Sequence, residues 1–128
     1  DQMTIQSTRV VHKGEDTKLP LQLDPRGGSQ VVKYKNYNIT IVHECDYWTN
    51  TKGDRDSHYY HRFLVWDKDW NIVTTSDPFK FMDGRIEFCC GMDINPRTKE
   101  FLITFGFQDN SAYLLSLSEK FVLSMIGL

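Results

Sequence analysis

The sequence predicts an all-β domain that ends in one short helix. Short runs rich in aromatic and β-branched residues recur at intervals of roughly 8–12 residues, and polar turn residues separate them. In the clearest run, residues 38–44, side chains alternate between two faces, with Ile39 and Ile41 on the same face as His43. After residue 116 the apolar spacing changes to that of a helix.

The first half of the chain predicts a four-stranded antiparallel meander. Its strands are separated by short polar turns, which favour hairpin connections between sequence neighbours. We assign the meander to residues 27–78, and its four predicted strands are residues 29–34, 38–44, 59–66 and 71–75.

The pattern restarts after two turn signals, Asp77-Pro78 and Asp83-Gly84. We assign residues 79–117 to a second antiparallel meander of the same four-stranded design. Three of its strands stand out in the sequence, at residues 86–92, 101–107 and 112–116.

The chain ends with a predicted helix over residues 118–127. Ser116 and Glu119 have the spacing of a capping box, in which the serine begins the helix. An apolar stripe follows, made of Phe121, Val122, Met125 and Ile126. We expect this helix to pack as a lid on the edge of a sheet. Upstream, residues 1–26 predict a strand at 9–12 and a loop at 13–26, so that residues 1–128 form a single domain.

Two consecutive meanders of this length are typical of β-propeller blades. An immunoglobulin-like sandwich also holds seven strands, but the Cys…Trp…Cys spacing of that fold is absent. A propeller closes with four to eight blades, so two blades leave unpaired edges that something must cover. Three outcomes follow: the remaining blades belong to a longer chain, other copies of this chain close the ring, or an open pair of sheets is capped by the terminal helix. We favour the first, with assembly of copies second. The first residue is Asp1 rather than methionine, which indicates either processing or a piece cut from a longer chain.

Composition and charge exclude several classes of partner. The net charge is −2 with both signs interspersed, so no basic face for nucleic acid is predicted. No apolar run reaches the roughly 18 residues that cross a bilayer, and no signal peptide is recognised, which predicts a cytoplasmic protein without a membrane partner. Cys45, Cys89 and Cys90 form a poor disulfide framework and predict free, buried thiols.

Polar residues in two neighbouring strands are the first candidate site. His43 and Glu44 end one predicted strand, while His61 and Arg62 lie within the next. A metal site would add His58 as a third ligand, but the spacing is not diagnostic of metal, and we predict neither a metal nor an organic cofactor. Ordinary hydrogen-bonded histidines at strand ends are the alternative. A third interpretation has His43 and Arg62 donating hydrogen bonds to an anionic or hydroxylated ligand.

Two carboxylates in apolar surroundings are further candidates. Glu87 lies between apolar residues, and Asp109 follows an aromatic strand, so each must be paired, hydrogen-bonded or functional. Carboxylates bind sugar hydroxyls and act as acid or base in glycoside cleavage. The structural alternatives are a salt bridge from Glu87 to Arg85 or Arg62, and a turn-capping role for Asp109. The tryptophans suit sugar stacking as well as the core.

The stretch from Gly27 to Val122 resembles the later blades of the five-bladed propeller of glycoside hydrolase family 130, the mannoside phosphorylases, whose relatives occur with bacterial glycosyltransferases. Six segments in order carry the resemblance: Gly27-Gly28-Ser29-Gln30, Ile41-Val42-His43-Glu44, Tyr60-His61-Arg62-Phe63, Ser76-Asp77-Pro78-Phe79, residues 86–92 with Ile-Glu-Phe-Cys-Cys-Gly-Met, and Phe105-Gly106-Phe107-Gln108-Asp109.

The resemblance implies roles for several residues. His43 is similar to a histidine that helps to bind phosphate, and Asp109 to an aspartate that holds sugar hydroxyls. His61, Arg62 and Glu87 resemble residues that line the central cavity. The family's catalytic aspartate and phosphate-binding arginines belong to earlier blades that residues 1–26 do not match, so no catalytic residue is predicted here and inorganic phosphate stays possible as a co-substrate.

Three functional hypotheses follow. The first is a carbohydrate-active propeller module that binds a glycan or sugar phosphate through His43, Glu44, His61, Arg62, Glu87 and Asp109, with little activity of its own. The second is a non-catalytic structural or interaction module of a glycosyltransferase-associated protein. The third is a complete glycosidase or phosphorylase assembled from several chains.

Overall fold

The computed structural model describes residues 4–9 and 25–128, which fold mostly as β-structure in two antiparallel sheets with one helix. The all-β prediction is confirmed, whereas the predicted N-terminal strand and loop lie largely outside the described residues. The elements are β1 (Val32–Tyr34), β2 (Tyr37–Thr49), β3 (Arg55–Asp67), β4 (Ile72–Thr75), β5 (Glu87–Ile94), β6 (Phe101–Phe107), β7 (Ser111–Leu117) and α1 (Glu119–Ile126).

The first sheet has the order β1-β2-β3-β4, so every strand pairs with its sequence neighbour as predicted. Its centre is the hairpin of β2 and β3, each 13 residues long and longer than predicted. The extra length is a polar arm at the far end of the hairpin. It is held by side-chain pairs across the strands, in which Trp48 stacks on His58 and the Arg55 guanidinium lies 4.0 Å from the Tyr47 ring centre.

Irregular segments continue the pairing along both edges of this hairpin. On one side Arg26 exchanges backbone hydrogen bonds with His43, and the Ser29 amide donates to the Ile41 carbonyl. On the other side Phe79 exchanges hydrogen bonds with His61. The hairpin is therefore flanked on both sides over its central third, which buries the side chains of that third more deeply than an edge strand would allow.

The second sheet contains three strands, in the order β5-β6-β7, where the sequence prediction had a four-stranded meander. That part of the prediction is wrong. The segment before β5 pairs along β3 in the first sheet instead, and the chain leaves β7 directly into the helix at Ser118. No residues remain to form a fourth strand from this part of the chain.

The two sheets enclose a common apolar core. Ile39, Ile41, Phe63 and Val65 of the first sheet are fully buried, and so are Phe101 and Ile103 of the second. These residues belong to one contiguous cluster. The Gln30 side chain bonds both backbone groups of Met92, and thereby joins the edge of β5 to the first sheet through polar contacts as well.

Helix α1 closes one end of this core. Val122 and Ile126 are buried in the cluster, and the Tyr34 hydroxyl donates a hydrogen bond to the Glu119 carboxylate. The predicted capping box at Ser116 is wrong by two residues: Ser118 is the N-cap, and its side chain accepts from the amide of Phe121. Ser116 remains in β7, where it pairs with Leu102 of β6, and so it does not begin the helix.

The described cysteines are free thiols, as the sequence predicts, but they differ in burial. Cys89 is buried, Cys45 is partly buried and Cys90 is exposed. Burial raises the pKa of Cys89 to about 11, so its thiol is protonated at neutral pH. Within the described residues, no helix has the length and apolar character needed to span a membrane.

Candidate functional site

His43 lies in the flanked part of β2 and is 7% exposed. Its Nδ1 is 2.6 Å from the carbonyl oxygen of Gly27, so Nδ1 carries the proton and donates. Burial lowers the pKa of His43, the charge of Arg26 acts in the same direction, and the Gly27 carbonyl opposes both. The imidazole is therefore neutral at pH 7, with Nε2 as a hydrogen-bond acceptor.

Two aromatic rings frame the His43 imidazole. The Tyr59 ring stacks on it with the centres 5.6 Å apart, and the Phe88 ring meets it edge-on at 4.9 Å. Phe88 is 41% exposed, so this group reaches the surface. The sequence analysis missed both rings. The signal for Tyr59 was its place opposite the strand that carries His43, whereas the position of Phe88 depends on how the two sheets pack.

His61 pairs with His43 across the hairpin but is fully buried between the sheets. Its Nε2 accepts a hydrogen bond of 3.2 Å from the backbone amide of Cys89, and Nδ1 has no hydrogen-bond partner among the described residues. Burial lowers the pKa of His61 to about 3, and a nearby His43 adds to this effect. His61 thus joins the sheets as a neutral acceptor.

Glu44 and Arg62 form a buried ion pair on the opposite face of the hairpin. The Arg62 Nε donates to Glu44 Oε1 at 2.8 Å, and both side chains are about 95% buried or more. The guanidinium also donates to the Ser76 carbonyl at 3.1 Å. The positive charge of Arg62, which the sequence analysis considered as a contact for an anionic ligand, is therefore neutralised by Glu44 inside the fold.

Glu87 is fully buried and holds the loop before β5. Its Oε2 accepts from the amide of Phe81 at 2.6 Å, while Oε1 accepts from Met82 at 2.9 Å and Gly84 at 2.6 Å. The salt bridge considered for Glu87 is wrong, because each candidate arginine pairs with another carboxylate: Arg62 with Glu44, and Arg85 with Asp56.

Asp109 lies in the turn between β6 and β7 and is exposed. Its backbone has φ 58°, in the left-handed region, and so does its neighbour Gln108 at 54°. Within residues 4–9 and 25–128 its carboxylate makes no hydrogen bond or salt bridge. The turn therefore presents an unpaired carboxylate on a residue in the left-handed backbone conformation, which costs L-residues conformational free energy.

Residues 86–88, at the start of β5, connect the turn that carries Asp109 to His43. Ile86 donates its amide to the Gln108 side chain at 2.8 Å, and the Gln108 amide returns a bond of 2.7 Å to the Ile86 carbonyl. Two residues later the Phe88 ring packs on His43. We call the patch made of exposed Phe88 and Asp109, partly buried Tyr59 and largely buried His43 the rim.

The third histidine considered for a metal site does not join the rim. His58 lies on the other face of the hairpin arm, between Trp48 and Tyr60, and its Nδ1 is 2.9 Å from the Lys80 ammonium. Across the described part of the chain, no cluster of three His, Cys, Asp or Glu side chains is arranged to hold a metal ion.

The glycine pair beside the rim has a structural reason. A Cβ on Gly28 would lie 2.4 Å from the Ile41 carbonyl oxygen. The glycine therefore allows its own backbone to pack closely against β2. Gly27 has open space around its α-carbon, and its carbonyl orients His43.

No family model, no curated protein and no solved structure matches this chain.

Proposed function

We propose that this chain is a carbohydrate-active β-propeller module that binds a glycan at the rim. The observation that carries the proposal is the start of β5, which contacts His43 through Phe88 and the Asp109 turn through Ile86. A neutral imidazole, a free carboxylate, the exposed Phe88 ring and the partly exposed Tyr59 ring are the kinds of group that sugar hydroxyls and sugar faces need.

The protonation of His43 supports a hydroxylated ligand more than an anion. Because Nδ1 donates to Gly27, the remaining Nε2 is a lone-pair acceptor for an O–H group. A fully ionised phosphate has no proton to give to it. A glycan, or the hydroxyls of a sugar phosphate, fits this acceptor, while inorganic phosphate as a co-substrate would require charge from another part of the assembly.

The carboxylates support binding rather than catalysis by this chain alone. Glycoside cleavage uses two carboxyl groups separated by about 5–9.5 Å across the scissile bond. Glu44 is neutralised by Arg62, and Glu87 is occupied by three amides. Among the described residues at the rim, Asp109 therefore stands without a second carboxylate that is free to react.

The outer face of the second sheet supports further blades as partners. This face carries Leu102 and Thr104 of β6, and Ala112, Leu114 and Ser116 of β7, with Leu114 69% exposed. Asp93 is the one charged side chain that its strands place there within the described chain. A solvated sheet face is ordinarily polar, so this composition fits coverage by a neighbouring sheet from a longer chain or another copy.

The same face favours a second candidate, a structural or interaction module that makes no sugar contact. The free cysteines fit a reducing compartment for either candidate, and we place the protein in the cytoplasm. Light scattering after size exclusion separates assembly of several copies from a monomer.

A glycan titration tests the proposal. Isothermal titration with mannobiose and oligomannose should give measurable binding that Asp109→Asn weakens about tenfold or more, since a hydrogen bond to a charged group is worth roughly 1.5–3 kcal/mol. Asp54→Asn is the matched control, because Asp54 is also an exposed turn aspartate, in the β2–β3 turn. Equal affinity in both variants, or silence across a glycan panel, would contradict the proposal.

A further inference from the structure

A polar cleft lies at one end of the first sheet, away from the rim. It has a volume of about 280 Å³ and is formed where the β1–β2 turn meets the β3–β4 turn. Tyr37 in its wall precedes His43 by six residues on β2, which separates the two places by about 20 Å. The lining side chains used below are Lys33, Lys35, Lys68, Asn38, Tyr37 and Trp70.

Positive charge dominates the lining of this cleft. Lys33, Lys35 and Lys68 line it, and no carboxylate does. None of the three ammonium groups forms a salt bridge to a described residue; Lys35 instead lies 5.1 Å from the Tyr34 ring centre. Lys33 and Lys68 therefore provide unpaired point charges for a compact oxyanion, and Lys35 adds a charge that the nearby Glu119 carboxylate partly offsets.

The carboxylate of Asp67, at the end of β3 beside the cleft, is occupied by hydrogen bonds. Asp67 accepts hydrogen bonds from the amides of Asp69 and Asn71 at 2.8 and 2.9 Å, and from the Asn71 side chain at 3.1 Å. These contacts lower the pKa of Asp67, so it remains ionised and reduces the long-range field of the lysines. Selectivity must therefore come from close contacts within the cleft.

A buried amide and an indole complete the cleft. Asn38 is 5% exposed, donates its Nδ2 to the Asp67 carbonyl at 3.1 Å, and accepts no hydrogen bond through Oδ1 from the described residues. The Trp70 ring packs edge-on against Trp66 with the centres 5.7 Å apart. Trp70 adopts φ 66°, and a bulky residue in the left-handed region costs of order 1–3 kcal/mol, a kind of strain that clusters at binding sites.

We infer that this cleft binds a small organic phosphate monoester. The lysines contact the phosphate, the Asn38 oxygen accepts from a hydroxyl of the ligand, and the ligand's ring packs on Trp70. Two ligand sources share this chemistry: free inorganic phosphate and a ring-bearing phosphate such as a sugar phosphate. The aromatic and amide groups favour the second.

The indole signals of the three tryptophans provide the test. In a proton–nitrogen correlation spectrum, assigned by Trp→Phe variants, glucose 6-phosphate should shift the Trp70 and Trp66 signals and leave Trp48 in the distant hairpin arm unmoved. Inorganic phosphate should bind more weakly, and glucose should not bind. Equal binding of the two phosphates would overturn the ring contact, and a shift confined to Trp48 would overturn the location.

Charge variants test the lysines. The triple variant Lys33→Gln, Lys35→Gln, Lys68→Gln should weaken binding by at least a hundredfold, and raising the salt concentration should weaken the unaltered protein's binding in the same direction. The control triple Lys52→Gln, Lys99→Gln, Lys120→Gln makes the same charge change at exposed positions outside the cleft. Retained affinity in the first variant, or equal loss in both, would overturn the inference. Neither result depends on glycan binding at the rim.

Discussion

Glu87→Gln should destabilise the protein strongly, because one carboxylate holds three backbone amides of the loop before β5. If the glutamine oxygen keeps the contacts to Met82 and Gly84, its NH2 group faces the Phe81 amide, which then loses its acceptor. A buried donor without a partner costs about 1–3 kcal/mol, and two charge-assisted bonds become neutral ones, each about half as strong. We expect a total loss of about 3–4 kcal/mol.

Urea unfolding measures this loss. The midpoint should fall while the slope with denaturant stays constant, since the surface exposed on unfolding is unchanged. Glu100→Gln is the matched control: its carboxylate accepts one bond from the Thr98 hydroxyl at an exposed site, and the change should stay within about 0.5 kcal/mol. A loss below about 1 kcal/mol for Glu87→Gln would refute the assignment of Glu87 as the anchor of this loop.

Three further predictions concern the flanked part of the hairpin. Gly28→Ala should cost about 2 kcal/mol or more in urea unfolding, because the new Cβ meets the Ile41 carbonyl oxygen at 2.4 Å. The free energy of unfolding should fall on acidification between about pH 6.5 and pH 3. In this range His61 is protonated in the unfolded chain but stays neutral in the folded protein, where its pKa is about 3. Arg62→Met should cost roughly 3–5 kcal/mol by leaving the Glu44 charge buried and unpaired.

Each of these predictions has its own control. Gly27→Ala has open space and should change stability by less than about 1 kcal/mol. His61→Gln keeps an acceptor for the Cys89 amide and should flatten the acid slope, so an unchanged slope would assign it to other groups. Adding Glu44→Leu to Arg62→Met should recover part of the lost stability; no recovery would mean that the cost lies in packing rather than in the unpaired charge.

Local pattern was sufficient for most of the fold. Alternation in β2 placed Ile39 and Ile41 in the core, and turn residues separated the strands at positions close to those observed. The arm of the hairpin was missed because its strands are polar, and cross-strand stacking such as Trp48 on His58 is invisible to hydrophobic periodicity. The fourth strand of the second sheet was predicted by analogy with the first.

In the candidate site, too, local sequence indicated some residues, while their contacts depend on tertiary packing. Sequence reasoning selected Glu44, Arg62 and Glu87 as candidate site residues, but their partners depend on tertiary packing. The Glu87 carboxylate finds its amides in a loop whose shape no local pattern specifies. Phe88, which connects β5 to His43, required the angle between the two sheets.

The rim can be tested most directly by following His43 and Asp109 in one glycan titration by NMR. With mannobiose as the ligand, the His43 Nε2 signal should move toward the value of a hydrogen-bonded acceptor, and the Asp109 carboxylate signal should move with the same dissociation constant. Asp109→Asn should weaken the His43 response in parallel. A His43 signal that stays still while Asp109 responds would contradict a shared sugar-binding surface.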